Sequence, residues 1–388
     1  MKHIIKLQTI IILTNLLLIC SCSNNRHKPE KNMLQPPDAE KKPKELTMHG
    51  DTRVDNYFWL NERENPEVID YLKKENQYTK QVMAHTEALQ DSLYKEIVGR
   101  IKQTDMSVPY RKNGYWYYTR FEEGKEYPIY CRKKGSLENG EELLLNVNEL
   151  AKGLKYCHVG SIKISTNNKI LAYSVDTVSR RKYTIKFINL ETGKEFGDAI
   201  PNTTGSITWA NDNKTVFYVK KDEALRPYKV FRHKLGTEEK ADVETFHEKN
   251  GKFNTFVYKT KSERYIFICS QSTTTSECWF LPADRPEKQF KVFLPREQGH
   301  EYVVAHFEDH FYVKTNDRAK NFKLVKCPVN KTSKENWSDV IPHREDVLFE
   351  SMELFKDYLV VDERHKGLTQ LRIIEWSGHS EHFIDFKE

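Results

Sequence analysis

One serine near the end of this 388-residue chain has neighbours that resemble those of a catalytic nucleophile. Ser380 lies in the stretch Gly378-His379-Ser380-Glu381-His382. The sharp strand-to-helix turn that exposes a nucleophilic serine has the pattern G-x-S-x-G, because a side chain at either end would clash. Here His382 replaces the second glycine, no apolar run follows to form the supporting helix, and no other glycine begins the pattern. We therefore predict that Ser380 is an ordinary hairpin-turn residue.

The other residues that could do chemistry give no metal pattern. His306 and His310 are four apart, but Glu308 is out of place for H-E-x-x-H, and the segment is typical of a hairpin rather than of a helix that would align both rings. The chain contains no C-x-x-C, so the cysteines support neither a zinc site nor a disulfide framework. A disulfide bond between Cys269 and Cys278 is compatible with the sequence, but no pattern supports it. We expect no metal and no cofactor.

The elements that would carry these residues are mostly short strands. From Val108 onward apolar residues alternate with polar ones, and six hairpins recur about 45 to 56 residues apart. Their first strands are GYWYYTR, ILAYSVD, TVFYVKKD, YIFICSQ, FYVKTND and YLVVDER. Asn168 and Asn213 precede two of them, where the turn needs a residue that tolerates positive φ. This regular spacing favours the blades of a β-propeller over the alternative, a series of β-sandwiches.

Residues 46–105 have a different pattern. Apolar side chains recur at helical spacing from Val68 to Val82 and again from Leu89 to Ile101. Asn65-Pro66 is a favourable helix start. We predict two helices here, the second ending near Gln103.

The N-terminus is typical of an export signal. Lys2 and Lys6 precede a short apolar run that ends in Ile-Cys-Ser-Cys. This ending resembles a bacterial lipobox, so we predict cleavage before Cys22 and lipidation of its thiol. Cleavage before Cys20 and a fully removed secretory signal are the alternatives. The polar, proline-rich residues 22–45 would then be a flexible tether.

The charge pattern argues against a nucleic-acid partner. Charged residues make up 30% of the chain, both signs are mixed along it, and the net charge is +6. No basic stripe with interleaved aromatic residues occurs. The 12% aromatic content instead suits half-buried strands.

Residues 48–380 resemble the prolyl oligopeptidase family of serine peptidases, in particular its oligopeptidase B (protease II) branch. The motifs that carry the resemblance stand in the family's order: HGDTRVDNYFWLNE, YLKKENQYT, EIVGRIKQTDMSVPYRKNGYWYYTR, SVDTVSRRKYTIKFINLETG, DEALRPYKVFRHKLGT, NDRAKNFKLV and IPHREDVLFE.

The resemblance implies an architecture in which a helical segment packs on an α/β-hydrolase domain and a seven-bladed propeller follows. The fold class we expect is thus mainly β: an incomplete seven-bladed propeller with about six blades, preceded by a short helical segment, without the hydrolase domain. The expected boundaries are 1–21 for the lipoprotein signal, 22–45 for the tether, 46–105 for the helical segment and 106–388 for a propeller truncated in about its sixth blade.

The resemblance also implies an activity for the complete protein, hydrolysis of short basic peptides after Arg or Lys, with the propeller restricting substrate size. The catalytic serine, aspartate and histidine follow the propeller in such hydrolases, so we assign no catalytic residue to this chain and expect it to be inactive alone. The absent hydrolase domain would contact residues 46–105 and the propeller face.

The family's propeller covers the active site, which makes Asp222, Glu223 and Arg226 candidates for contact with the substrate. A salt bridge within their loop is the commoner outcome for such residues. Glu363 and Arg364 likewise resemble members of an inter-blade or loop ion pair.

Three interpretations remain open at the level of the sequence. The chain is the N-terminal portion of a membrane-anchored, exported bacterial peptidase; or it is a stand-alone lipid-anchored propeller that binds peptides or a partner; or it is a degenerate product without function. Open strand edges argue against the second, because unpaired edges promote aggregation.

Overall fold

The computed structural model describes residues 34–378 and 380–386. By their contacts, these residues divide into two compact units, one that ends at Lys102 and one that begins at Gln103. Within the described ranges, no helix is both long and apolar enough to cross a membrane. Cys22 and the rest of the predicted signal lie outside the described residues.

The first unit contains a β-hairpin and two helices. Its elements are β1 (Lys44–Met48), β2 (Asp51–Asp55), α1 (Pro66–Met83) and α2 (Glu87–Arg100), with 3₁₀ turns at Phe58–Asn61 and Ala84–Thr86. The predicted helix start is confirmed: the Asn65 side chain accepts a hydrogen bond from the Glu67 N–H at 2.9 Å, and Pro66 is the first helical residue. The second helix ends at Arg100, three residues earlier than the sequence predicts.

The hairpin of β1 and β2 was not predicted. Its two-residue turn, His49-Gly50, has φ of 54° and 80°. Positive φ at both positions is the geometry that matches the twist of two antiparallel strands. Histidine seldom adopts positive φ, so Gly50 is the one residue of the turn whose type indicates the hairpin.

The two helices bury little of their apolar surface. Val68 is the buried residue of α1, and none of the residues of α2 is buried. Leu89, Leu93 and Ile97 of α2 are 60%, 47% and 60% exposed. An apolar stripe of this kind is unusual on a helix that stands alone in water.

The second unit is built from antiparallel strands in five sheets. The first sheet contains β3 (Tyr110–Lys112), β4 (Tyr115–Arg120), β5 (Ile129–Lys134) and β6 (Glu141–Asn146), followed by the one-turn helix α3 (Val147–Leu150). The second has seven strands: β7 (His158–Ile164), β8 (Ile170–Asp176), β9 (Tyr183–Asn189), β10 (Glu195–Trp209), β11 (Thr215–Lys221), β12 (Pro227–Lys234) and β13 (Val243–His247).

The remaining three sheets have four strands each. They contain β14 (Asn254–Lys259), β15 (Tyr265–Gln271), β16 (Ser276–Pro282) and β17 (Lys291–Leu294); β18 (Tyr302–Phe307), β19 (His310–Thr315), β20 (Lys323–Pro328) and β21 (Ser338–Ile341); and β22 (Val347–Leu354), β23 (Tyr358–His365), β24 (Leu368–Glu375) and β25 (Glu381–Phe383). Two 3₁₀ turns occur at Glu239–Ala241 and Lys334–Asn336.

The seven-stranded sheet joins two blades through one long strand. The first part of β10 pairs with β9 as far as Thr203, and the part from Thr203 onward pairs with β11. Register shifts interrupt both pairings, so the strand bends between its two partners. With this strand shared, the sheets form six blades of four strands, in agreement with the expected propeller.

All six predicted hairpins are confirmed as the two middle strands of the blades. They are β4–β5, β8–β9, β11–β12, β15–β16, β19–β20 and β23–β24. The middle strands β8, β11 and β15 are buried on both faces, which explains the long apolar runs that mark them in the sequence. The predicted positive φ at Asn168 and Asn213 is also observed, at 64° and 57°.

Aromatic side chains pack the blades against each other. Phe267, Phe293 and Phe311 meet in one buried cluster formed by the sheets of β14–β17 and β18–β21. The Phe267 and Phe311 rings lie edge to face with their centroids 5.6 Å apart. Aromatic side chains of the strands therefore form contacts between neighbouring sheets.

The structure contains a disulfide bond that the sequence did not support. Cys269 and Cys278 lie directly opposite each other in the pairing of β15 with β16, and their sulfur atoms are bonded. The nine-residue separation carries no recognisable pattern, because only the hairpin register brings the two residues together. The other cysteines in the described ranges, Cys131, Cys157 and Cys327, are free and buried.

Candidate functional site

The inner strands of four of the six blades line a cavity of about 980 Å³. Its lining comes from β3, β7, the second part of β10, β14 and the turns that follow these strands, with Phe355 after β22. We call this space the central cavity. Clefts of this size are large enough for a peptide segment.

Lysines from three sheets line one end of the central cavity, where the inner strands run into their turns. Lys112 is the last residue of β3, Lys163 is the penultimate residue of β7, and Lys259 is the last residue of β14. The inner strands of successive blades run in the same direction along the cavity. The C-terminal ends of these strands therefore lie at the same end of the cavity. Glu263, in the turn after β14, is the carboxylate of this lining.

The polar contacts at this end cross between sheets. Lys112 Nζ lies 2.9 Å from Glu263 Oε1, which joins the first sheet to the turn after β14. Lys259 Nζ donates to Asn211 Oδ1 at 3.1 Å and to Thr166 Oγ1 at 3.3 Å. Lys163 has no hydrogen-bond or ion-pair partner for its ammonium group in the described ranges.

The local environment changes the pKa of several of these groups. Lys163 is exposed at the mouth of the cavity, but partial desolvation by the surrounding protein atoms, and then repulsion from Lys112, lowers its pKa. Burial also lowers the pKa of Lys259; attraction to Glu263 opposes this and repulsion from Lys112 adds to it. Burial is the largest single influence on Glu263 and raises its pKa, but the hydrogen bond from Lys112 and the charges of Lys259 and Lys112 reverse this, so the net pKa is lowered.

The loop of Asp222, Glu223 and Arg226 connects β11 to β12. Asp222 Oδ2 accepts a hydrogen bond from Arg226 Nε at 3.0 Å, and Asp222 Oδ1 accepts one from the Arg226 backbone N–H at 2.9 Å. These hydrogen bonds, led by the backbone one, lower the pKa of Asp222. Glu223 is exposed and has no partner in the described part of the chain.

Arg226 also ties this loop to the next blade. Its Nη1 donates to the backbone carbonyls of Asn250 and Phe253, each at 3.2 Å. Asp222 and Arg226 thus form the loop salt bridge that the sequence suggested as the commoner outcome.

Glu363 and Arg364 pair with other residues and not with each other. Glu363 is buried and accepts from Arg372 Nη2 at 2.6 Å and from Arg344 Nη2. Arg364 Nε donates to Glu350 Oε1 at 2.8 Å. Both are ion pairs of the last sheet and the loop that leads into it, consistent with a structural role.

His306 and His310 lie on opposite strands of the β18–β19 hairpin, as predicted. His306 Nδ1 is 2.8 Å from Ser262 Oγ, and burial lowers the pKa of His306 to about 4. Within residues 34–378 and 380–386 there is no group of three or more His, Cys, Asp or Glu side chains arranged to bind a metal ion.

Ser380 lies in the connection between β24 and β25, so the predicted hairpin turn is confirmed. Its backbone carbonyl accepts a hydrogen bond from the Glu375 N–H at 3.1 Å, which closes the hairpin. His379 of the same motif is outside the described residues.

The sequence does not distinguish the lysines of the central cavity from other lysines. They look like scattered surface charges among the 62 Lys and Arg residues of the chain. A comparison of equivalent positions in successive hairpins could have revealed them, since all three lie at the end of an inner strand.

The sequence of residues 36–387 matches the profile of a family described as prolyl oligopeptidase, N-terminal beta-propeller domain. Dipeptidyl aminopeptidase BI of Pseudoxanthomonas mexicana is 41% identical over 367 residues, which cover 89% of this chain and 51% of that protein. Protease 2 of Moraxella lacunata is 35% identical, over 87% of this chain and 50% of that protein.

Among solved structures, oligopeptidase B from Leishmania major superposes with a TM-score of 0.85 and 33% sequence identity. The similarity covers 91% of this chain and 54% of that structure. The chain therefore spans about half the length of the curated relatives it matches.

Proposed function

Because this chain belongs to the prolyl oligopeptidase family and forms the propeller portion of such a peptidase, we propose that the complete protein cleaves short peptides after Arg or Lys. The observation that carries the proposal is the combined sequence and fold similarity to oligopeptidase B, at 33% identity and a TM-score of 0.85. The identity to Protease 2 supports the same branch of the family.

In this proposal the chemistry belongs to residues outside this chain. A serine attacks the peptide carbonyl, a histidine takes and returns the proton, an aspartate orients the histidine, and backbone N–H groups stabilise the oxyanion. The residues of this chain contribute by limiting which peptides reach those groups. A central cavity of about 980 Å³ suits short, extended peptides and excludes folded proteins.

The exposed side of the helices supports a further part of the proposal. Leu89, Leu93 and Ile97 form an apolar stripe on α2. Leu89 and Ile97 are more than half exposed to solvent. Covering this stripe would stabilise the complex through apolar burial. We propose that a hydrolase domain packs against residues 46–105 and against the propeller face.

Glu223 is the residue of its loop that remains available to a substrate. Asp222 and Arg226 satisfy each other, whereas the Glu223 carboxylate is exposed and could pair with a basic side chain of a peptide. In the complete enzyme, Glu223→Gln should raise KM for basic peptides and leave kcat nearly unchanged. The exposed Glu287 offers a matched control, for which Glu287→Gln should change neither constant.

We also propose that the protein is exported and anchored through a lipid on Cys22. The Cys269–Cys278 disulfide supports export, since such bonds persist in oxidising compartments. Two or three acyl chains would give firm anchoring, because each buried CH₂ contributes about 0.8 kcal/mol.

A second candidate activity is the removal of dipeptides from a free amino terminus. It is favoured by the 41% identity to Dipeptidyl aminopeptidase BI, which exceeds the 35% identity to Protease 2. The two activities differ in whether a blocked amino terminus is tolerated, so one pair of substrates separates them.

The first experiment is mass spectrometry of the native protein from the source cells. A species near twice 45.9 kDa that contains the present sequence would support the peptidase proposal. That species should then be assayed with an arginyl amide whose amino terminus is blocked, and with a dipeptidyl amide whose amino terminus is free. Cleavage of the blocked substrate supports the first activity, and cleavage of the free dipeptidyl substrate alone supports the second.

A native species of the size of this chain would contradict the peptidase proposal. The stand-alone binding propeller would then be the function to test, with short peptides as probes.

A further inference from the structure

The lysines at the turn end of the central cavity form a cationic cluster without enough counter-charge. The lining contains Arg111, Lys112, Lys163, Lys259 and Lys261 against Glu263 as its acidic member. Glu353 pairs with Lys261 at 2.7 Å and thereby neutralises one cation from outside the lining. Three positive charges of the cavity thus remain uncompensated.

Lys112 of β3 influences both Lys163 of β7 and Lys259 of β14 across this space. Repulsion from Lys112 lowers the pKa of both Lys163 and Lys259, which places the Lys112 ammonium group within electrostatic range of each. Glu263 pairs with Lys112 at 2.9 Å and leaves the other two without a carboxylate in contact. An arrangement that brings like charges together from separate sheets costs free energy unless something else offsets it.

The ammonium groups of Lys163 and Lys259 have N–H donors that no acceptor in the described residues uses. Lys259 donates to two neutral oxygens, on Asn211 and Thr166, which orient its side chain without neutralising it. Lys163 donates to no acceptor in the part of the chain that the structure describes. An ammonium group has three N–H donors, so both retain donors for a ligand.

We propose that this end of the central cavity binds an oxyanion, a carboxylate or phosphate group, between the ammonium groups of Lys163 and Lys259, with Lys112 nearby. Oxyanions accept several short, charge-assisted hydrogen bonds, which matches a lining with ammonium donors from different strands. The positive charge excludes a metal cation. The site does not depend on peptidase activity, so it exists whether or not the proposed function is correct.

The direct test is titration of the purified chain with inorganic phosphate by calorimetry, at constant ionic strength maintained with chloride. Saturable binding is expected. Lys163→Gln should weaken it by at least about tenfold, because a hydrogen bond to a charged group is lost. Lys194→Gln is the matched control: Lys194 is exposed, its ammonium group has no partner in the described ranges, and its substitution should leave the affinity unchanged.

A second variant distinguishes binding from a folding defect. Glu263→Gln removes the carboxylate of the lining, so phosphate should bind about threefold to tenfold more tightly. A variant that merely damaged the fold would not bind more tightly. Thermal unfolding of each variant without phosphate shows whether its structure is retained.

Two peptides identify the source of the oxyanion. An acetylated tripeptide with a free C-terminal carboxylate and its C-terminal amide are tested as competitors of phosphate. Competition by the free acid alone would support the site as one for a peptide carboxylate, and binding of phosphate without such competition would support a free-anion site. Absence of saturable phosphate binding, or equal affinity in Lys163→Gln and the unmodified chain, would overturn the proposal.

Discussion

His233 and Asp242 form a buried pair, with 2.7 Å between His233 Nδ1 and Asp242 Oδ1. On the other side of the ring, His233 Nε2 lies 3.1 Å from Asp198 Oδ1. Asp198 belongs to the first part of β10 and His233 to β12, so the imidazole connects the two blades that share the seven-stranded sheet. The side chains of His233, Asp198 and Asp242 are at most 5% exposed.

Asp242→Asn should destabilise the second unit by about 3 kcal/mol, because it removes one of the two buried carboxylates that compensate the charge of His233. Urea unfolding followed by tryptophan fluorescence measures this change. The control is Asp339→Asn, whose partner Lys323 is 3.4 Å away and whose side chain is 53% exposed. This exposed pair should contribute less than about 1 kcal/mol, and equal losses in the two variants would contradict the assigned role of Asp242.

The same histidine should make stability depend on pH in a defined direction. Burial is the largest single influence and lowers the pKa of His233, but the hydrogen bonds and charges of Asp242 and Asp198 outweigh it, so the pKa is raised above 6.5. A raised pKa means that the folded state binds the proton more tightly than the unfolded state. Its contribution is therefore fully present below pH 6.5 and is lost as the pH rises through the folded pKa.

We expect the cost of His233→Gln to be largest below pH 6.5 and to shrink as the pH rises. The measurement is the difference in unfolding free energy between the variant and the unmodified protein from pH 5.5 to 9. Taking this difference cancels groups that both proteins share, such as His306, whose pKa is lowered to about 4. A difference that grows with pH would show that the sign is wrong.

The Cys269–Cys278 bond should contribute about 2 to 3 kcal/mol to stability, since it closes a short loop with a sequence separation of nine. Adding a reductant should lower Tm, and Cys269→Ser should lower it to a similar extent in the absence of reductant. Reductant should then have no further effect on Cys269→Ser. Cys327→Ser serves as the control because Cys327 is free, so this variant should keep its response to reductant.

Gly205 is predicted to tolerate no larger residue, for two separate reasons. Its φ is +92°, and a Cβ at this position would lie 2.9 Å from the ring of Tyr183 and 3.1 Å from Ser174 Oγ. Gly193 has a φ of +70° with no atom near its Cβ position, so it isolates the backbone effect. Gly193→Ala should cost about 1 kcal/mol, and Gly205→Ala about 3 kcal/mol or more.

The steric part of this effect can be separated in a double variant. Removing the ring in Tyr183→Ala should relieve the clash, so Gly205→Ala should cost less in that background than in the unmodified protein. Equal costs in both backgrounds, measured by urea unfolding, would contradict a contact between Gly205 and Tyr183.

The sequence was sufficient to predict the six hairpins and the helix start at Asn65-Pro66. Each of these depends on residues that are neighbours along the chain: an alternating apolar run for the middle strands, and a side-chain cap for the helix. The outer strands β13, β17, β21 and β25 are shorter and more exposed, so their alternation is weak and they were not separated from loops. The long β10 likewise combines two pairings that no local pattern divides.

The sequence alone thus determined the blade repeat, the family and the turn role of Ser380, because each is encoded in local order and spacing. Only the tertiary structure decided that Cys269 bonds to Cys278 and that Lys112, Lys163 and Lys259 line one cavity. These relationships join residues from different strands or different sheets. They depend on strand register and on the arrangement of successive blades around a common centre. The spacing of these residues along the chain predicts neither the register nor the arrangement.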